Sequence, residues 1–463
     1  MNFFGKSPKP HLSIAALCVA AFCVCWALGV AASAGFLLAA AFLFFSFACS
    51  KIEKLKSLTY TMFIFCLVCV AMFYPALLRK WGGVTLITLI PVVMQVMMFG
   101  VGSQMSLEEF KGIARMPRAV IIGLVCQTFI MPLLGFALAR LVAFDGGQIA
   151  ASMGLAHDGQ VDPARAAALS GAISGGIMLI ACSPSGLASN VMCFLAKGNL
   201  ALSVTIAAFA TLLAPIRTPL FMKVLAGTMV QVDVPAMMGD VIRMLIYPIM
   251  AGLLFNAAAT LKPRRKTLRE ALLFFVIIVV LQAAVGLARG HGAAGIARDI
   301  ALTVLFVHVL APLAGFVLSL FTKGSAEAVK KGMAFFSMAA VCTSLTIITA
   351  AYRDGLLCIG IMMIVVMTVQ NCGGYLVGYW ASRAMRLDER SCRTVAFEVG
   401  QQNGALANSL VAGLPIDAAM KALMGVAPMV FGMLQNITGS ALATWWRGIP
   451  IRGENEKPED LKA

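Results

Sequence analysis

The stretch Val395-Ala-Phe-Glu-Val-Gly-Gln-Gln-Asn-Gly-Ala-Leu-Ala-Asn-Ser-Leu-Val411 decides the fold, because it places a carboxylate, carboxamides and glycines inside an apolar segment. A charge at mid-depth in a bilayer costs about 2.5 to 3.5 kcal/mol on insertion scales, and backbone groups released from a helix need partners there. The stretch therefore predicts a broken transmembrane helix around Glu398. A bound cation would satisfy both the carboxylate and the freed carbonyl groups.

A second interruption lies upstream, in the segment from Cys182 to Val191. Pro184 and Gly186 break the apolar run just before Ser189 and Asn190. Each half of the chain thus carries one broken hydrophobic segment. Paired interruptions of this kind point to a transporter site near the midplane of the membrane.

The composition indicates a polytopic membrane protein. The chain has 463 residues, of which 60% are hydrophobic and 12% are charged, and its mean hydropathy is +0.92. The net charge of +16 follows from lysines and arginines concentrated in every second loop, so it requires no nucleic-acid partner. By the positive-inside rule this asymmetry predicts cytoplasmic amino and carboxyl termini.

Enzyme chemistry is not predicted. The 13 cysteines mostly lie in apolar runs and the four histidines are scattered, which argues against a redox motif, a metal cluster or a cofactor. No nucleophile stands beside a base and no phosphate loop is present. Without organelle-targeting features, the expected location is a bacterial inner membrane.

Fourteen apolar segments are predicted to cross the membrane, two of them broken. They cover residues 12–32, 35–50, 58–78, 84–102, 119–142, 169–196 (broken), 199–224, 236–259, 270–289, 299–321, 331–352, 355–382, 393–412 (broken) and 418–446. The long loop 143–166 is expected on the outer face, either as a solvated loop or as a cap over a substrate entrance.

Five ordered blocks of sequence resemble the bile acid:sodium symporter family. They are Met97–Leu107, Pro117–Gln127, Pro184–Asn190, Glu398–Asn403 and Gln435–Ser440. The resemblance implies two inverted five-helix repeats, divided into a panel domain and a core domain that holds two crossed broken helices. A weak match between 125–135 and 369–378 agrees with such a duplication.

Against the ten helices of the family, this chain has about four extra ones. The implied division is an extra amino-terminal hairpin (1–57), the first repeat with family helix six (58–262), an inserted helical pair (263–328), family helices seven to ten (329–446) and a cytoplasmic tail (447–463). The extra pairs adjoin panel helices, and we expect them to thicken the static scaffold. The sequence does not indicate an oligomeric state.

The resemblance also implies two sodium sites and a neighbouring substrate site. Ser189, Asn190, Ser203 and Glu398 would form the first sodium site. Gln127, Glu398, Gln402 and the carbonyl groups of Val399 and Gln401 would form the second. The implied substrate-binding residues are Ser185, Gly186, Leu187, Ala188, Asn403, Gln435 and Asn436. For Gln127, and more so for Gln370, a purely structural role between helices is the alternative.

Three departures from the family pattern bear on the site. Ala207 replaces a threonine that would add an oxygen to the first sodium site, and Thr205 would face elsewhere on a helix. Leu187 replaces a threonine near the substrate, and Gln435 replaces a histidine. The substrate therefore cannot be copied from any one member of the family.

The resulting prediction is a sodium-coupled symporter of a small organic anion, such as pantoate, a ketoacid or a bile-acid-like carboxylate, with an elevator-type mechanism. Helix amino ends at 185–188 and 402–404 favour an anion. Two alternatives remain open: a proton-coupled carrier in which Glu398 titrates, and a membrane protein that senses its ligand without transporting it.

Overall fold

The computed structural model describes residues 8–30, 34–52, 58–105, 116–142, 144–155, 162–186, 188–260, 264–322 and 325–451. Within these ranges the chain is almost entirely helical. In chain order the helices are α1 Lys9–Ala27, α2 Gly35–Lys51, α3 Leu58–Phe73, α4 Ala76–Arg79, α5 Ile90–Gly102, α6 Pro117–Leu141, α7 Gly146–Ser152, α8 Pro163–Ala181, α9 Ala188–Leu195, α10 Leu200–Ala226, α11 Val234–Ala259, α12 Arg264–Ala288, α13 Ala293–Thr322, α14 Ala326–Ile359, α15 Ile361–Ala384, α16 Glu389–Gly400, α17 Gly404–Gly413 and α18 Ala418–Arg447. The described strands, β1 Lys80–Trp81 and β2 Val84–Thr85, form one short antiparallel ribbon.

Ten of the described helices are long and apolar enough to cross a membrane, judged by length and composition. Shorter apolar helices include α2, α3 and α17. Each of the fourteen predicted segments coincides with a helix or with a pair of half-helices. The prediction of an all-α polytopic membrane protein is confirmed.

Polar side chains mark where several helices begin. An aspartate or asparagine just before the first turn accepts a hydrogen bond from a backbone N–H group that has no partner within the helix. Residues with this role are Asp145, Asp162, Asp233, Asp388, Asp417, Asn199 and Asn403. Proline opens α6 and α8, where its missing N–H group is no loss.

One predicted boundary is wrong. The sequence places a loop at 353–354 because both residues are charged, but α14 continues to Ile359 and the break falls at Gly360, whose φ is 70°. The charges find partners on α3 and α4: Arg353 donates to the Met72 carbonyl at 2.6 Å, and Asp354 pairs with Arg79 at 2.5 Å. Satisfied charges at a membrane end do not terminate a helix.

The four helices that are additional to the family pattern are α1, α2, α12 and α13. Helix α2 packs against α1 and α3, and α3 in turn packs against α14. Helices α12 and α13 both pack against α11. The main contacts of these four helices are therefore with one another and with α3 and α11. The interrupted pairs α8–α9 and α16–α17 instead pack around α6, α10, α15 and α18.

Candidate functional site

The two broken segments meet each other directly. The Gly186 N–H group donates to the Gln401 carbonyl at 3.1 Å, and the Asn403 N–H group donates to the Pro184 carbonyl at 2.8 Å. These two bonds make an antiparallel bridge between Ser185 and Gln402. The carboxyl ends of α8 and α16 and the amino ends of α9 and α17 are thereby gathered at one point, as the sequence predicts.

Glu398 lies near the end of α16 and is fully buried. The Ser203 hydroxyl, from α10, donates to Glu398 Oε1 at 2.5 Å. The hydroxyl groups of Ser185 and Ser189 lie beside the same carboxylate. Glu398 Oε2 has no hydrogen-bond partner in the described part of the chain. A buried carboxylate oxygen of this kind needs a proton or a cation.

Around Ser203, acceptor oxygens outnumber the hydroxyl proton available to them. Ser203 Oγ also lies 2.7 Å from Asn190 Oδ1, so in this orientation of the amide a single hydroxyl proton faces two acceptors. The Ser189 hydroxyl is committed to the Gly186 carbonyl at 2.8 Å. A cluster of carboxylate, hydroxyl and carboxamide oxygens is the chemistry that suits a hard cation such as sodium. The four residues of the first predicted sodium site therefore fit a cation.

Two glutamines in the second break add further acceptors. Gln402 donates from Nε2 to the Val399 carbonyl at 2.6 Å, and its backbone N–H group donates to Gln435 Oε1 at 2.9 Å. Gln401 Nε2 lies 3.4 Å from both the Tyr375 hydroxyl and the Gln435 carbonyl. The side-chain oxygens of both glutamines have no partner among the described residues.

Gln127 is placed differently from what the resemblance implies. Its side-chain oxygen accepts a hydrogen bond from the Arg217 guanidinium rather than facing an open acceptor cluster. The same guanidinium lies 3.3 Å from the Cys182 carbonyl at the end of α8, which also accepts from the Thr218 hydroxyl at 2.7 Å. Of the residues predicted for the second sodium site, Gln127 is the one whose oxygen is already engaged by a fixed positive charge.

Arg217 itself was missed by sequence reasoning. It is only 5% exposed, and the salt bridges found across the described ranges include none to this residue. An arginine in the middle of an apolar helix is a functional-site signal by itself. The sequence analysis places Arg217 inside the predicted segment 199–224 but assigns it no role, because it lies outside the blocks that resemble the family.

The residues predicted to bind substrate differ in their hydrogen bonds and in their position relative to the crossing. Asn403 caps α17 by accepting from the Leu406 N–H group at 3.0 Å, and Asn436 donates to the Gly432 carbonyl at 2.7 Å within α18. Gln435 bridges to Gln402, as described above. Ser185, Gly186 and Ala188 lie at or beside the crossing, and Leu187 lies outside the described residues. Of these three carboxamides, Gln435 links α18 to the crossing, whereas Asn403 and Asn436 bond within their own helices.

Of two other predicted positions, Thr205 agrees with its predicted placement, whereas Gln370 makes, among the described residues, none of the hydrogen bonds between helices that a structural role implies. The Thr205 hydroxyl donates to the Ala201 carbonyl one turn earlier, at 2.8 Å, which agrees with its placement away from Glu398. Gln370 is fully buried, and neither side-chain polar atom has a partner in the described ranges.

The described residues contain no group of three or more His, Cys, Asp or Glu side chains that could hold a metal.

This architecture, with two interrupted helices crossing around a buried carboxylate inside a bundle of apolar helices, defines a polytopic membrane transporter. The model of the Sodium Bile acid symporter family matches residues 91–288, and this part of the chain is similar to that family. The matched range contains the first three of the five blocks that resemble the family, Met97–Leu107, Pro117–Gln127 and Pro184–Asn190.

Individual relatives are similar over most of the chain. An uncharacterized sodium-dependent transporter of Bacillus subtilis, YocS, is 28% identical over 357 residues, which are 77% of this chain and 82% of that protein. The probable sodium/metabolite cotransporter BASS1 of rice chloroplasts is 25% identical, with 76% of this chain and 64% of that protein covered. The human ileal sodium/bile acid cotransporter is 24% identical, with 71% and 70% covered.

Proposed function

We propose that the protein is a sodium-coupled symporter that carries a small organic anion across the membrane. The observation that carries this proposal is the unpartnered oxygen of the buried Glu398, surrounded by hydroxyl and carboxamide oxygens. The names of the relatives from Bacillus and from human intestine, both of which refer to sodium, support the same coupling ion.

The proposed ion region consists of Ser189, Asn190, Ser203, Glu398, Gln401 and Gln402. When bound, sodium would neutralise the carboxylate and satisfy the acceptor oxygens. Together with the amino ends of α9 and α17, the ion would leave a positive region that favours an anionic substrate. Coupling then follows, because the anion binds best when sodium is present.

We assign the substrate to the class of small carboxylates, such as pantoate or a ketoacid, with larger bile-acid-like anions as the other members of the class. The proposed mechanism moves the domain of crossed helices against the remaining helices as an elevator, with the two halves related as inverted repeats. Uptake into sealed vesicles under a sodium gradient distinguishes this carrier from a protein that only senses its ligand.

The deciding experiment measures the melting temperature of the detergent-purified protein in rising NaCl and in matched KCl. Ligand at a hundredfold excess over its Kd stabilises the folded state by about 2.7 kcal/mol. We expect a sodium-selective rise in the wild type that Glu398→Gln abolishes. Glu327→Gln is the matched control, because Glu327 is an exposed carboxylate in α14.

Equal melting curves in the two salts would contradict sodium coupling and would favour the second candidate, a proton-coupled carrier. One observation supports that candidate: the shortage of donors around Ser203 is also relieved if Glu398 carries a proton. In that case the melting temperature should depend on pH in the wild type, with or without sodium, and Glu398→Gln should remove the dependence.

A further inference from the structure

Two backbone carbonyl groups that the family resemblance implies for a second sodium site already accept hydrogen bonds. The Val399 carbonyl accepts from Gln402 Nε2 at 2.6 Å, and the Gln401 carbonyl accepts from the Gly186 N–H group at 3.1 Å. A carbonyl oxygen has two lone pairs, so these bonds lower its capacity to bind a cation without removing it. Whether a second ion binds therefore depends on the remaining groups.

Gln127 is the side chain that α6 contributes to this implied site. Its oxygen accepts a hydrogen bond from the Arg217 guanidinium, and the two residues are 1% and 5% exposed. A guanidinium keeps its charge in proteins and donates through a rigid planar group. The Gln127 oxygen is thus held by a fixed cation that belongs to the protein itself.

The positive charge of Arg217 has no carboxylate partner in the described part of the chain. The ion pairs found there do not include this residue, and its second contact is the Cys182 carbonyl at 3.3 Å. That carbonyl lies at the carboxyl end of α8, where the helix dipole supplies only about half an elementary charge. The charge on Arg217 is therefore offset only in part.

This charge opposes a second ion at Gln127. A guanidinium that donates to an oxygen and a cation bound by the same oxygen are about 5 Å apart. With an effective dielectric constant of about 20, the repulsion at this distance weakens cation binding by about two orders of magnitude. The position beside Gln127 therefore stays without sodium at concentrations that fill a site lacking such a neighbour.

The surroundings of Glu398 have the opposite balance of charge. Glu398 is fully buried, and its Oε2 has no hydrogen-bond partner in the described ranges. The Ser203 hydroxyl donates to its Oε1, and Asn190 Oδ1 lies 2.7 Å from the same hydroxyl. The salt bridges of the described residues do not involve Glu398. A cation bound here meets a full negative charge.

We propose that the protein couples transport to one sodium ion, and that the Arg217 guanidinium takes the place of a second. The inference rests on the proposed function, sodium coupling at Glu398. Two sodium ions and one carboxylate would leave one net positive charge. One sodium ion, one carboxylate and Arg217 leave the same charge. Because a monocarboxylate substrate carries one negative charge, its uptake with one sodium ion moves no net charge across the membrane.

The test counts sodium ions on the purified full-length protein. Binding of radioactive sodium is measured over a range of NaCl concentrations, with KCl keeping the ionic strength constant. We expect the wild type to bind one ion per chain with a Hill coefficient of one. Arg217→Met should bind two ions per chain, because the substitution frees Gln127 and removes the repulsion. Arg217→Lys keeps the charge and should stay at one ion.

Lys223→Met is the control for a general effect of charge, since it removes a lysine from an exposed position of the same helix. It should bind one ion per chain, as the wild type does. Two ions on the wild type, or one ion on folded Arg217→Met, would overturn the inference and leave sodium coupling intact. No bound sodium on the wild type would contradict the proposed function as well. The wild-type count does not depend on the folding of any variant.

Discussion

At the scale of single residues, Arg217 has the environment that most needs explanation. Its guanidinium is buried in a membrane-spanning helix and contacts two oxygens, the Gln127 carboxamide and the Cys182 carbonyl. The carboxyl end of α8 carries a partial negative charge, so part of the charge on Arg217 is offset there. The remaining charge repels a cation near the crossing, and Arg217 also occupies the oxygen that Gln127 would offer to an ion.

We predict that Arg217→Met increases the sodium affinity of the protein. The substitution removes a like charge and frees Gln127, and about 1 kcal/mol of relieved repulsion corresponds to about a fivefold lower sodium midpoint. The measurement is the NaCl dependence of the melting temperature. Arg217→Lys is the matched variant: it keeps the charge, so its midpoint should stay near that of the wild type. A midpoint for Arg217→Met equal to or above the wild-type value would contradict the prediction.

At the scale of elements, the crossing depends on close contact between two unwound backbones. A Cβ atom at Gly186 would lie 2.8 Å from the Gln402 carbonyl oxygen and 3.2 Å from its carbon. Both distances are to backbone atoms, which cannot move away as a flexible side chain can. The absence of a side chain at Gly186 is therefore what lets the breaks form their bridge.

We predict that Gly186→Ala separates the two breaks and removes the sodium-dependent rise in melting temperature. The matched control is Gly332→Ala in α14, where an added Cβ meets no atom within 4 Å. Alanine is favoured over glycine in a helix by up to about 1 kcal/mol, so the control should be neutral or slightly stabilised. A full sodium response in Gly186→Ala would show that the bridge is not required.

At the scale of the whole molecule, the four additional helices have their main contacts away from the crossing. Helices α1 and α2 pack on each other and on α3, and α12 and α13 pack on α11. We propose that these pairs form a static scaffold, with the division of the chain at 1–57, 58–262, 263–328, 329–446 and 447–463. Movement during transport would then be confined to the helices that pack around the crossing.

Deleting residues 1–57 tests this proposal. We expect the shortened protein to have a lower melting temperature, because α3 loses its contacts with α2. The sodium-induced rise should be unchanged, since the main contacts of α1 and α2 lie away from the crossing. Loss of the sodium response in a folded, monodisperse sample would show that the amino-terminal pair supports the site itself.

The membrane orientation is a second property of the whole molecule. We propose that both termini are cytoplasmic in a bacterial inner membrane, since most lysines and arginines fall on one predicted side. In a variant without accessible native cysteines, a membrane-impermeant maleimide applied to intact cells should label Gly147→Cys and spare Lys331→Cys. The reverse pattern would invert the proposed topology.

The helical class, the fourteen apolar segments and the positions of the two breaks could be predicted from the sequence. These features are local, because hydrophobic run length, proline, glycine and a buried carboxylate act within one segment. The prediction missed the true end of α14 at Ile359, since charges at 353 and 354 find their partners on α3 and α4.

Only the tertiary structure decided which polar groups are satisfied and which are not. The carboxamides of Asn403, Gln435 and Asn436, for which substrate binding stays a prediction, each make a hydrogen bond within the protein. The partner of Gln127 is Arg217, which lies 90 positions away in the sequence. Such pairings depend on how distant helices pack, and no property of a single segment specifies them.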